Sequence, residues 1–135
     1  MPTLDDVSRV AAGLPGSDER TMTSGLAWFV RNKQYALEAH PWPSIPADVR
    51  AIIAAEPVVG VKLPDELDAL ALAQTWPDVF LPRTTSWGGP KIAFRLNAID
   101  PQHLEELVTD AWRVQAPRYL RREFDGDEGA GSLRP

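Results

Sequence analysis

Between residues 21 and 39 three strand-like runs, 21–24, 26–31 and 34–39, follow one another with almost nothing between them. They are rich in Thr, Trp, Phe, Val and Tyr, the side chains that suit a pleated surface. Parallel neighbours need a crossover of about a dozen residues or more, so strands this close must pair antiparallel. The polar connection Arg31-Asn32-Lys33 centres on an Asn, which tolerates positive φ and suits a tight hairpin.

The rest of the chain supplies helices and two or three further strands. Thr3 followed by Asp5 and Asp6 reads as a helix start, and Leu4, Val7, Val10, Ala11 and Leu14 recur at helical spacing until Gly13 and Pro15-Gly16 stop the helix. Pro41, Pro43 and Pro46 remove three ladder donors within six residues, so this stretch must be a loop or an edge. A short helix over 47–56 has Val49, Ile52 and Ile53 on one side. A strand over 58–63 then has Val59, Val61 and Leu63 on one face and Lys62 on the other. Asp65 and Glu66 open a helix lined by Leu67, Leu70, Ala71 and Gln74, with Leu72 widening its apolar stripe.

A short strand over 79–81 precedes a strand over 91–97 in which Ile92, Phe94 and Leu96 alternate with Lys91, Arg95 and Asn97. Asp100-Pro101 is an N-cap followed by Pro at the first helical position. Leu104, Leu107, Val108, Ala111 and Trp112 then trace the best amphipathic helix in the chain, to about Gln115. The order predicts an α+β fold, a two-layer sandwich in which an antiparallel sheet carries its helices packed on one face and leaves the other face wet. Residues 1–122 form a single domain; 118–124 add a short turn, and 123–135, with three Gly and little apolar content, read as a disordered tail.

Composition closes off several classes of function. The 135 residues include no Cys, which removes disulfides, thiolate metal sites and cysteine nucleophiles and is compatible with a reducing compartment. The start lacks a basic and apolar leader and no stretch is long enough to span a bilayer, so the expected location is the cytoplasm, with no membrane partner. Net charge is −5, the wrong sign for a diffuse hold on DNA, but its distribution is uneven. Residues 79–122 carry 7 basic against 4 acidic side chains, between acidic segments on both sides.

Five pieces in order resemble the MmcQ/YjbR family, small bacterial proteins with a CyaY-like (frataxin-like) fold. They are Leu4-Asp5-Asp6-Val7 ending in Gly13-Leu14-Pro15-Gly16; Ala27-Trp28 with Val30-Arg31-Asn32-Lys33; Val59-Gly60-Val61-Lys62; Gly89-Pro90 before Phe94-Arg95-Leu96-Asn97-Ala98-Ile99-Asp100; and Leu104-Glu105-Glu106-Leu107 with Asp110-Ala111-Trp112-Arg113 and Ala116-Pro117. The family usually carries Arg after the aromatic of the second strand and Gly in the next turn, where this chain has Phe29 and Asn32. The resemblance implies a DNA-binding role through paired hairpins and brings no catalytic motif; fold alone does not fix function.

The residues themselves support no enzyme. His40 and His103 fall in no metal-binding spacing, the acidic pairs sit in opening helical turns where they complement the helix dipole, and no phosphate loop occurs, so no metal or cofactor is expected. For DNA as the candidate partner, the contacting residues are Arg31 and Lys33 at the hairpin tip, Lys62 and Arg95 on their strands, Arg83 and Lys91 around the Trp87 loop, and Arg113 and Arg118 near the last helix. The alternative is a non-catalytic protein- or small-ligand-binding module using the open sheet face around Lys62 and Arg95.

Overall fold

The tight hairpin at Arg31 and Asn32 sets the register of the sheet. Both residues have positive φ, 51° and 67°, the conformation a two-residue turn of the I′ kind demands. In the computed structural model, which describes residues 2–81 and 90–133, this turn joins β2 (Gly25–Val30) to β3 (Lys33–Glu38). β1 (Ser17–Met22) precedes them, and β4 (Val58–Lys62) and β5 (Lys91–Arg95) follow. The five strands lie in sequence order, β1-β2-β3-β4-β5, every neighbouring pair antiparallel. The run at 79–81 adds only an isolated bridge, Phe80 to Phe94, on the outer edge of β5.

The helices are α1 (Leu4–Ala12), α2 (Ala47–Ala55), α3 (Glu66–Thr75), α4 (Pro101–Gln115) and α5 (Arg118–Leu133). The capping signals work as read. Asp100 accepts from the backbone N–H groups of Gln102 and His103, and the Asp6 carboxylate accepts from the N–H of Thr3 at 2.8 Å. The Arg9 guanidinium, 2.7 Å from Asp6, does most to hold that carboxyl below its ordinary range.

One face of the sheet carries the main core. Trp28, Val30, Val59, Val61, Ile92 and Phe94 project into it and meet Val7 and Ala11 of α1 and Leu104, Val108, Ala111 and Trp112 of α4. Both buried indoles are satisfied: Trp28 donates to Glu19 at 2.8 Å and Trp112 donates to the Pro15 carbonyl at 3.0 Å. From α3 the buried contact is Ala69, backed by Leu72 and Ala73, while Leu67 and Leu70 are 74% and 51% exposed. The apolar stripe of α3 is so broad that spacing alone does not choose the side that turns inward.

The expectation of a wet opposite face needs amending. Val58 and Ala93, which alternate with the main-core residues, join Ile45, Val49, Ile53 and Leu81 in a second, smaller core. The Pro-rich segment and α2 therefore cover the β4–β5 end of the outer face. The end of the chain also departs from the reading. Phe124 packs edge-on against Trp112 at 5.3 Å, and Asp125 forms a two-pronged pair with Arg113 at 2.6 and 2.8 Å, so packed structure continues past residue 122 within α5.

Tyr35 gives a test of this packing. Its hydroxyl is 2.6 Å from the Ser17 hydroxyl, and burial pushes its pKa up to about 12, with the Glu19 charge acting in the same direction. An unfolded Tyr ionises near its ordinary value of 10.0, so between that value and about 12 the unfolded chain binds fewer protons than the folded one. Stability should therefore fall as pH rises through this window, by on the order of 2 kcal/mol. Urea midpoints measured from pH 8 to pH 12 should decline less steeply in Tyr35→Phe than in the parent; equal slopes would exclude Tyr35 as the cause.

Candidate functional site

Antiparallel pairing decides which cations meet. Lys62 lies directly opposite Lys91, and Val61 lies opposite Ala36, so the end of β4 and the start of β5 sit beside the start of β3 and the Arg31-Asn32 turn. Gln115 at the end of α4 donates to the Gln34 carbonyl at 3.0 Å, and the Arg31 guanidinium lies 5.9 Å from the ring centre of Tyr119. These contacts bring the start of α5, with Arg118, to the same end of the sheet. Arg31, Lys33, Lys62, Lys91 and Arg118 thus gather along one edge of the molecule, and none has a carboxylate partner among the described residues.

The other sequence-derived candidates separate from this group. Arg95 lies at the far end of β5, where it donates to Glu56 and to the Asp78 carbonyl at 2.8 Å each. The bond to Glu56 raises its pKa further. Arg113 is held by Asp125, whose carboxyl it keeps below the ordinary range. Both guanidiniums tie elements of the fold together. Arg83 and Trp87 lie outside the described residues. Phe29, standing where the resembled family has Arg, carries the Arg20 guanidinium 4.2 Å above its ring, and Arg20 also binds Asp18 and Asn32.

Lys62 and Lys91 are a like-charged cross-strand pair, an arrangement that destabilises a sheet when nothing offsets it. Burial, and then the neighbouring Lys62 charge, lowers the pKa of Lys91. Lys91 also lines a pocket of about 140 Å3 on the outer face, together with Leu37, Ala39, His40, Trp42, Ile45, Gly60 and Ala93. The Pro-rich segment forms its outer wall, where Trp42 leans on His40 with ring centres 4.3 Å apart. Sequence reasoning did not find this pocket. The signal was Gly60, a glycine in the middle of a strand, which marks a place where something approaches the backbone closely.

Comparison with known proteins fits this geometry into a group. No family model matches the chain. The uncharacterized protein Rv2570 of Mycobacterium tuberculosis is 36% identical over 135 residues, which cover 96% of this chain and all of the relative, and the uncharacterized protein Mb2600 of Mycobacterium bovis matches to the same extent. The chain belongs to their family. Among solved structures, Deinococcus radiodurans protein DR2400, with a DUF419 domain, superposes with a TM-score of 0.64 at 19% identity, covering 91% of this chain and 88% of that one. That likeness establishes the shared α+β fold. No helix among the described residues is long and apolar enough to cross a membrane.

Proposed function

We propose that this chain is a non-catalytic protein of the MmcQ/YjbR type that binds duplex DNA along the basic end of its sheet. The observation that supports the reading is the grouping of Arg31, Lys33, Lys62, Lys91 and Arg118 on one edge without carboxylate partners among the described residues. A hairpin tip presenting Arg31 and Lys33 enters a groove, while the lysines of the neighbouring strands and Arg118 reach phosphates on either side. Arg95 and Arg113 take no part, because their guanidiniums are engaged within the fold.

The net charge of −5 makes the interaction local and strongly dependent on salt. With about four phosphates neutralised, the logarithm of the binding constant should fall with the logarithm of salt concentration at a slope of about −4. Fluorescence anisotropy with a labelled duplex should show micromolar binding at low salt. Replacing Lys33 and Lys62 together by Glu should abolish it, while Arg113→Gln should leave the slope unchanged. A parent protein that fails to bind the duplex at low salt, or binds with a flat salt response, overturns the reading.

A further inference from the structure

Gly60 sits where glycine has no conformational reason to be. Its backbone is not among the positive-φ positions, and glycine inside a strand costs about 0.5–1 kcal/mol relative to Ala. A Cβ added there would make ordinary contacts, with Leu37 at 3.4 Å and with the Ile92 carbonyl oxygen at 3.9 Å. The register places Leu37 and Ala93 on either side of Gly60, so the three residues form a shallow apolar floor running across β3, β4 and β5. The missing side chain keeps open the pocket above this floor.

Above this floor stand Ile45, Trp42 and His40 from the Pro-rich segment, and Lys91 is the charged lining residue among those described. The half-open space, about 140 Å3, is close to the roughly 150 Å3 that takes a benzene ring in an apolar cavity. Its composition is apolar over most of the wall, with a cation on one side and no carboxylate among the described lining residues.

We propose that this pocket binds a small aromatic monocarboxylate, its ring on the Gly60 floor beneath Trp42 and Ile45 and its carboxylate on the Lys91 ammonium. The occupant follows from the size of the pocket, from its apolar walls and from the sign of its charge. An anion at this position also offsets the repulsion between Lys91 and Lys62, neither of which forms an ion pair among the described residues. No duplex enters a space of this size, so the pocket is a site of its own, although Lys91 belongs both to its wall and to the basic end of the sheet.

Benzoate is the probe, titrated into the full-length protein and followed by amide and indole N–H shifts in two-dimensional NMR. Saturable shifts should centre on Gly60, Leu37 and the Trp42 indole, with a dissociation constant of about 1 mM or tighter. Lys91→Met should weaken benzoate at least about tenfold, the scale of a lost charge-assisted hydrogen bond, and should leave the uncharged benzyl alcohol within about twofold. Gly60→Val should remove both ligands without altering duplex binding. Gly60→Ala, whose Cβ finds only ordinary contact, keeps the steric test in place if the larger side chain prevents folding. Benzoate shifts that fail to saturate, that map away from Gly60, or that survive Lys91→Met unchanged overturn the proposal.

Discussion

Trp112→Ala is expected to cost about 3–5 kcal/mol, a large part of the roughly 5–15 kcal/mol that holds a domain of this size together. The indole is fully buried at the centre of the main core, with α1, the sheet and Phe124 of α5 around it. Truncation removes those contacts and leaves a cavity that the surrounding elements cannot close without moving the sheet. It also takes away the donor to the Pro15 carbonyl, the link between α4 and the turn after α1. Urea unfolding should show the midpoint falling with little change in slope, or no folded protein. Trp112→Phe keeps most of the packing and should cost clearly less. A loss below about 1 kcal/mol for the Ala variant would mean the core is not packed as described.

Gly25→Ala carries the second large effect, expected at about 3 kcal/mol, from two separable sources. Gly25 has φ of 130°, a conformation essentially reserved for glycine, so any side chain is strained there. An added Cβ would in addition lie 2.6 Å from Oε1 of Glu38, the carboxylate oxygen that accepts the Leu26 N–H at 3.0 Å. The variant must either displace Glu38, losing that bond, or shift the start of β2. A double-mutant cycle separates the sources: on a Glu38→Ala background the carboxylate is gone, and the backbone strain remains together with a close approach of 3.3 Å to the Cβ of residue 38. Gly25→Ala should then cost about 1–2 kcal/mol. A full cost on both backgrounds would show that Glu38 is not the obstacle.

These effects show how far the order of residues specifies the fold. The antiparallel sheet was legible because short connections forbid crossovers, and α4 was legible to the residue because Asp100-Pro101 and Pro117 bracket a clean 3.6-residue stripe. The inward side of α3 was not, because every position from 69 to 73 is apolar and the choice of side depends on where the helix docks. The boundary after residue 122 was placed too early because Phe124 and Asp125 owe their structure to distant partners, Trp112 and Arg113. No local pattern encodes that.

The candidate site divides the same way. Residue type and strand alternation identify Arg31, Lys33, Lys62 and Lys91 as outward-facing cations, and periodicity places them on their strands. Only the tertiary structure decides that Lys62 faces Lys91, that Arg95 and Arg113 are locked to Glu56 and Asp125, and that the Pro-rich segment folds back over Gly60. Local sequence fixes backbone preference and the side a residue faces within its own element. Which residues from separate elements come within a few ångströms depends on how burying apolar surface docks those elements, and that is a property of the whole chain.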